Sequence, residues 1–497
     1  MAIDERQINA IVEAVVSKLQ GGKPAASASP AAPAPARKPV ASHDYVPTYG
    51  KKSRKDTAGH GRKGIFEDMD SAVAASRIAH ESLLELSLET RAKMIQAMRE
   101  TTASNVNEIA KRAVEETGLG NVPDKIGKNL LVAWKTPGLE ILRPTSWTGD
   151  HGLALLERAP FGVIGSITPT TNPTETILNN GIGMIAGGNS VVFNVHPSAK
   201  KTSRWFVQML NEAIVGVGGP ENLLSCIAEP TIESAGQLMK HPGIRLIVVT
   251  GGPAVVKAAM NSGKRAICAG PGNPPAVVDE TAHIDRAGRD IVRGASMDNN
   301  IICIVEKEVF AVASIADQLK SAMCDAGAYE VTGAAIDRLQ KLVVDDDGHH
   351  PRKDWVGKDA TKIARAAGIH VPEKTRLLFA EVDAMHPFVQ AELLLPVIGF
   401  VRVPDVDAAI EGALQAEHGF GHTATMHSTN IDNLSRMAKA VNTSIFVKNG
   451  PSLAGLAFEG EGYTSFTIAS PTGEGLTTAM SFTRERRCTL KDSFRIV

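Results

Sequence analysis

Five side chains in this sequence can act as sulfur nucleophiles: Cys226, Cys268, Cys303, Cys324 and Cys488. Their number is odd, their spacings are wide and no CxxC pair occurs, so a disulfide framework and a zinc knuckle are both disfavoured. A reducing, cytosolic setting fits that usage, and there a single cysteine can serve as a nucleophile. Cys303 lies in "SMDNNIICIVEKEVF", after the amide-rich turn Asp298-Asn299-Asn300 and before an apolar run that reads as a strand. Backbone amides at such a strand entrance can stabilise a thiolate and later an oxyanion, although spacing alone fits an apolar core cysteine at least as well. Cys488 is the electrostatic rival, because Arg484, Arg486 and Arg487 beside it should lower a thiol pKa. It falls in an extended C-terminal segment away from any strand-end cleft and reads as structural. Cys226 reads as core strand, Cys324 as part of a helix, and Cys268 stands beside the Gly/Pro turn "AGPGNPP", where a cleft position is open to it.

Asn172, in "SITPTTNPTET", sits in a strand-to-helix loop. Its amide could donate to a developing oxyanion, but Asn followed by Pro173 is first of all a helix N-terminus. Thr250-Gly251-Gly252 in "VVTGGPAVV" follows a buried strand and opens a helix, the arrangement that lets backbone amides approach a phosphate; an ordinary tight turn has the same pattern. Gly59, Gly61 and Gly64 spell GxGxxG, yet a basic linker precedes them where a dinucleotide loop needs a strand. Asp345 to Pro351 ("DDDGHHP") offers metal-type ligands but reads as a solvated loop, and no metal is expected. Glu392 is a lone carboxylate before an apolar run, and His418, His422 and His427 cluster without an assignable role.

The elements that must position these residues follow from periodicity. Residues 1–20 carry Ile8, Ile11, Val12, Val15 and Leu19 on one helical stripe, and acidic residues stand where a secretory signal would be basic. Residues 21–64 are rich in Pro, Ala, Ser and Gly and then basic, a composition expected to form a disordered tether. Amphipathic helices follow, with Ile78, Leu84, Leu88, Met94, Ile95 and Met98 as their expected apolar faces. Then strands ("FGVIGSI", "SVVFNV", "IRLIVVT") alternate with helices, and a second alternating unit begins near Pro275. This rhythm predicts an α/β fold of two doubly wound units, with ligands at the carboxyl ends of parallel strands. "RPTSWTGDHGLALLERA" and the C-terminal "RRCTLKDSFRIV" read as extended segments that pair with each other or with another subunit. Lys and Arg total 53 against 54 Asp and Glu, and no apolar run approaches the ~20 residues of a membrane span. Neither nucleic acid nor a membrane is therefore an expected partner.

Six motifs in order, "TPTTNPTE", "FNVHPSA", "TGG", "AGPGNPP", "NNIICIVEKEV" and "ELLLPV", resemble the aldehyde dehydrogenase superfamily from about Gly64 to the C-terminus. The resemblance implies that Cys303 is the nucleophile and that Asn172 with the Cys303 amide forms an oxyanion hole. It places Thr168, Pro169, His196, Pro197, Thr250, Gly251, Gly252 and Glu392 against NAD. It divides the chain into an NAD-binding domain (65–142 and 158–274), a catalytic domain (275–455) and a small β oligomerisation domain (143–157 and 480–497), implying a homodimer or homotetramer. Hydrolytic members carry a Glu-Leu-Gly-Gly stretch whose carboxylate activates water; the matching turn here, Cys268 to Gly272, has none. A thiol acceptor needs far less activation than water, so the departure points to coenzyme A as co-substrate. The motifs "HPSA" and "SPTGEG" also resemble the CoA-acylating branch. His196 stands where hydrolytic members usually place Lys, which leaves NAD and NADP both open. The N-terminal helix and tether resemble encapsulation peptides of enzymes housed in bacterial microcompartments, the propionaldehyde dehydrogenase type most of all. That likeness implies a short aldehyde substrate, propionaldehyde before acetaldehyde, a shell protein as partner of residues 1–20, and residence inside a microcompartment in the bacterial cytoplasm. Two alternatives stand beside this reading: a hydrolytic dehydrogenase releasing free acid, and a shell-binding scaffold on an inactive dehydrogenase fold.

Overall fold

A computed structural model of the protein describes residues 63–497. The helix expected at 1–20, the linker up to residue 62, and Gly59 and Gly61 lie outside the described residues. Strand β1 (Ile65–Phe66) comes first, then the hairpin β2 (Thr145–Gly149) and β3 (Gly152–Pro160). β4 (Val163–Ile167), β5 (Ser190–Asn194), β6 (Leu224–Ile227), β7 (Leu246–Thr250) and β8 (Ala266–Ala269) join β1 in a six-stranded sheet of order β1-β6-β5-β4-β7-β8. Every pairing in it is parallel. β4 and β5 are buried along their whole length, so they read as unbroken apolar or small-residue runs rather than alternating ones. From β4 the chain winds one way through β5 and β6, and β7 and β8 lie on the other side. The winding therefore reverses between β4 and β7, and a ligand crevice is expected at such a reversal.

The second sheet contains β9 (Pro275–Val278), β10 (Glu308–Val312), β11 (Ala328–Glu330), β12 (Leu377–Glu381), β13 (Val397–Val403), β14 (Thr423–His427) and β15 (Ile445–Lys448). Its order is β11-β12-β13-β10-β9-β14-β15, again all parallel. After β15, the short pair β16 (Ile468–Ala469) and β17 (Gly475–Leu476) brings the chain back to the first sheet's core, where Phe466, Ile468, Ala469 and Phe482 join Ile177, Ile182 and Phe193. That cluster also takes in Ile302, Ile304 and Val305, so one apolar core backs both the first sheet and the segment around Cys303. β18 (Thr483–Lys491) pairs antiparallel with β3, from Thr483 opposite Pro160 to Lys491 opposite Gly152, completing a three-stranded sheet with β2.

Helix faces differ from expectation in one region. Met94, Ile95 and Met98 are buried as expected, whereas Ile78, Leu84 and Leu88 are exposed. The helix Met69–Leu84 instead buries Ala72, Val73, Ser76, Ala79 and Leu83. At 100° per residue Ile78 falls well off that stripe, and the small residues on it let the helix lie close against β5 and β6. Among the described residues no helix is long and apolar enough to cross a membrane.

Candidate active site

The helix Ile284–Ser296 ends in a tight turn, Met297–Asn300, in which Asp298 (φ 48°, ψ 40°), Asn299 (φ 55°, ψ 36°) and Asn300 (φ 66°) are all left-handed. Asn and Asp tolerate this region better than other residues with a Cβ, but three in succession are held only where surrounding bonds over-determine them. The bonds are present. Asn299 Nδ2 donates to Gly357 O and Asp359 Oδ1, both at 2.9 Å, and Asn300 Nδ2 donates to Ala295 O at 2.7 Å and Glu306 O at 3.0 Å. Asp298 Oδ1 accepts from the Asn121 amide at 2.9 Å. Gly120 (φ +74°) makes room for it, since a Cβ there would stand 1.9 Å from that oxygen. The Lys307 ammonium spans the loop, donating to Asn300 O at 2.9 Å, Asn300 Oδ1 at 2.5 Å and Ile302 O at 3.2 Å.

Cys303 follows this turn, in the loop ahead of β10 rather than on a strand, and is half-buried against the core. Burial pushes its thiol up to about 12, and Glu392 adds to the rise while Lys307 and Lys128 oppose it. Glu392 lies between the short helix Pro387–Gln390 and β13 and is half-buried. Burial raises its carboxyl, against Lys307 and a hydrogen bond from the Gly272 amide. Lys307 itself is brought down to about 8 by burial, with Glu392 and Cys303 opposing. The three groups thus share one electrostatic neighbourhood. His422 joins it: a Cβ on Gly272 would lie 2.9 Å from both Cys303 O and His422 Cγ. His422 is fully buried, with Nδ1 2.9 Å from Thr423 Oγ1 and no partner for Nε2 among the described residues. Burial, then Lys307, brings it down to about 4, so the ring is neutral near pH 7.

Asn172 occupies the N-cap position of the helix Pro173–Ala186, yet its side chain makes no capping bond. Its Oδ1 instead accepts from Lys128 Nζ at 2.6 Å, and its Nδ2 has a 3.2 Å bond to Thr171 Oγ1. The helix cap is thus the position but not the work of this amide. Lys128 belongs to the helix Val122–Lys135 and is fully buried, as are Lys125, Glu175 and Asp298. Lys128 Nζ pairs with Asp298 and, at 3.5 Å, with Glu175 Oε1; Lys125 Nζ meets the same Asp298 Oδ2 at 3.0 Å and Thr171 O at 3.2 Å. Burial disfavours the Lys128 charge, but Asp298 and Glu175 outweigh it and the pKa is raised; in Lys125 burial prevails and it is lowered. Sequence reading missed this quartet. The only signal was a pair of lysines three residues apart in a segment otherwise fit for burial, with nothing local to name their partners.

Thr168, Pro169, His196, Pro197, Thr250, Gly251 and Gly252 come together at the carboxyl ends of the adjacent strands β4, β5 and β7. Thr168 is buried and its hydroxyl, like that of Thr170, has no partner among the described residues. Thr250 Oγ1 bonds Thr467 Oγ1 at 2.8 Å, and the Gly251 amide donates to Ala269 O at 3.2 Å. Gly252 caps the helix Pro253–Met260, and a Cβ there would meet no atom of the described residues within 4 Å. His196 and Pro197 are exposed, with His196 Nδ1 accepting from the Ser198 amide at 3.1 Å. Orphaned hydroxyls, an open helix N-terminus and a reversal of winding fit a dinucleotide lying across these ends.

The remaining candidates fall elsewhere. Cys226 is buried on β6 and Cys268 is buried near the end of β8; burial pushes the first up to about 12 and the second to about 11. Cys324 is exposed on the helix Ala316–Asp325, and Cys488 is exposed on β18 opposite Leu155. Asp345, Asp347 and His350 do gather, but on the surface, where His350 Nδ1 sits 3.0 Å from Asp347 Oδ2 within the loop's own bonding. His427 is buried on β14 and His418 is exposed, bonded to Gln390 O at 2.8 Å. Gly64 leads into β1 and packs against Asn211 and Leu224, away from the strand ends above.

The sequence profile of the aldehyde dehydrogenase family matches residues 46–470. The chain belongs to the aldehyde dehydrogenase family. Within it, the chain is 52% identical over 439 residues to the acetylating acetaldehyde dehydrogenase of Salmonella typhimurium, covering 87% of this chain and 94% of that one. It is 46% identical over 435 residues to the CoA-propanoylating propanal dehydrogenase of the same organism, covering 87% and 93%. Among solved family structures it is similar to Rhodopseudomonas palustris propionaldehyde dehydrogenase with bound CoA and an acylated cysteine (49% identity, TM-score 0.85, 86% of this chain and 98% of that one). It is likewise similar to a propionaldehyde dehydrogenase from the Clostridium phytofermentans fucose utilisation bacterial microcompartment (48%, TM-score 0.86, 87% and 100%).

Proposed function

We propose that this aldehyde dehydrogenase oxidises a short aldehyde to its acyl-CoA, with Cys303 carrying the acyl group between the two half-reactions. The observation that carries this reading is a half-exposed Cys303 on an over-determined loop whose Asp298 shares the Lys128 ammonium with Asn172 Oδ1. The Cys303 thiolate attacks the aldehyde carbonyl. Asn172 Nδ2 and the Cys303 amide donate to the oxyanion, at about 3 kcal/mol per donor. NAD(P), when bound at the ends of β4, β5 and β7, supplies the hydride acceptor for this step. Glu392 would hold the ribose next to the nicotinamide, and the Gly251-Gly252 turn would bring the helix N-terminus up to the pyrophosphate. Loss of hydride from the thiohemiacetal leaves an acyl thioester on Cys303. The CoA thiol attacks that thioester, Cys303 departs as thiolate, and acyl-CoA is released. A free thiol with a pKa of about 8.5 is already a few per cent ionised near pH 7 and gives its proton to solvent before attack; His422, brought down to about 4, is too weak a base to take it. The Cys268 to Gly272 turn supplies no carboxylate, so water is a poor competitor.

Propionaldehyde and acetaldehyde both suit the relatives named above, and we favour propionaldehyde on the structural neighbours. Residues 1–20 are proposed to dock on a microcompartment shell protein, and the β2-β3-β18 sheet, with Trp147 and Leu490 exposed, to bind a second subunit in a homodimer or homotetramer. The test of the central reading follows NADH absorbance with propionaldehyde and NAD, with and without CoA. Sustained turnover is expected only with CoA, after a single burst without it. Equal turnover in both would make water the acceptor and overturn the reading.

A further inference from the structure

The buried ions beside Asn172 are more than packing. Lys125, Lys128, Asp298 and Glu175 are two ammoniums and two carboxylates with no exposure to spare, drawn from three elements: the helix Val122–Lys135, the first turn of Pro173–Ala186, and the left-handed turn before Cys303. A buried, charge-balanced group of this kind is weak evidence for stability, because desolvation offsets most of the attraction. Its geometry is more telling. Among the described residues Lys128 Nζ is the one polar atom that contacts Asn172 Oδ1, Glu175 and Asp298 together, and it leaves Asn172 only Nδ2 to present to a substrate. An amide in which either end could face the reacting carbonyl would present its oxygen part of the time, and an oxygen repels an oxyanion.

We propose that Lys128 is a positioning residue: its ammonium fixes the flip of the Asn172 amide and ties it through Asp298 to the Cys303 loop, so that the oxyanion donor and the nucleophile keep one spacing. This rests on the reading of Asn172 as an oxyanion donor.

The experiment uses the full-length protein and the pre-steady-state burst of NADH formed without CoA, which reports hydride transfer alone. Lys128→Met leaves a buried charge unbalanced and can fail to fold, so Lys128→Met/Glu175→Gln, which restores the balance, is measured beside it, with thermal melting as control. Either folded variant is expected to lose between about tenfold and a hundredfold in burst rate, no more than Asn172→Ala loses. In the Asn172→Ala background the same change should cost less than about twofold, because the two residues act as one unit. Lys128 is also one of the charges that hold the Cys303 thiol down, behind Lys307, so iodoacetamide alkylation of Cys303 should slow far less than the burst does. A wild-type burst in the charge-balanced variant overturns the proposal. So do losses that multiply in the Asn172→Ala background, or alkylation that slows as much as the burst, since Lys128 would then act chiefly on the nucleophile. A wild-type burst in Asn172→Ala is a separate result: it removes the oxyanion reading itself, and the positioning role with it.

Discussion

On the turn that leads to Cys303 the side chains are bonded: Asn299, Asn300 and Lys307 between them make seven hydrogen bonds that hold three left-handed residues. At the ends of β4 and β7 the opposite holds. Among the described residues the hydroxyls of Thr168 and Thr170 have no partner, and Gly252 faces open space. Both regions are loops at strand ends, and the difference follows from what each must do. Reacting atoms gain most when their spacing is fixed before substrate arrives. A ligand's phosphates and hydroxyls gain most from donors that nothing in the protein has taken.

The largest effect that tests this contrast is at the thiol. Cys303→Ala is expected to lower acyl-CoA formation on the order of a thousandfold or more, while Cys268→Ala, which removes a buried thiol whose amide is already bonded to Thr472, retains most activity. Similar losses in the two variants, read by NADH absorbance, would break the comparison by moving the chemistry off the fixed loop. Asn172→Ala comes next, at roughly a hundredfold or more in kcat/KM with the melting temperature kept. Near-wild-type activity would mean that the amide bound by Lys128 is only a spacer.

A smaller effect reads the electrostatics of the fixed loop directly. The thiolate is the reactive form, and burial pushes the Cys303 thiol up to about 12. Alkylation at Cys303 is therefore expected to quicken with every unit of pH between about pH 7 and about pH 10, without the plateau a free thiol near 8.5 would show. Lys307 pulls the thiol down only while it is charged, and it titrates at about 8. Lys307→Met should thus slow alkylation below about pH 8 and converge on the wild type above it. A plateau near pH 9 in the wild type, by mass-spectrometric rates, would show a thiol far less enclosed than this loop makes it.

Much of the scaffold was legible because parallel strands buried on both faces announce themselves: β4, β5, β7, β9, β10, β13 and β15 stand where apolar runs put them. β12, and β14 with its run Thr-Ala-Thr-Met-His, were not read, and β14 is hidden because hydroxyls and a histidine interrupt it although all five residues are buried. At the site, Cys303, Asn172, Glu392 and the Thr250–Gly252 turn could be singled out by residue type and local context. Lys125 and Lys128, and their pairing with Asp298, could not, since a buried lysine such as Lys125 is recognisable only through a carboxylate 173 residues away in the chain. Asn172 shows the limit most sharply: its sequence context is that of a helix cap, and only the bond from Lys128 distinguishes an amide held for other work.

The smallest effect is expected at Gly252, and it sharpens the contrast most cleanly. Its φ of −69° suits alanine, and a Cβ there meets no atom of the described residues within 4 Å. Gly252→Ala should therefore leave stability within about 1 kcal/mol, the scale of an altered helix cap. If the turn is a surface kept free for a pyrophosphate, the added methyl stands where the ligand must approach, and KM for NAD should rise roughly tenfold with kcat little changed, the signature of lost uniform binding. Gly272→Ala is the counterpart in the fixed region: its Cβ would press on Cys303 O and His422 Cγ at 2.9 Å, so its cost should fall on kcat. An unchanged KM in Gly252→Ala would take the cofactor off this turn. A fall in kcat instead would mean that the open turn is as tightly coupled to the chemistry as the bonded one, and the division of labour between them would not hold.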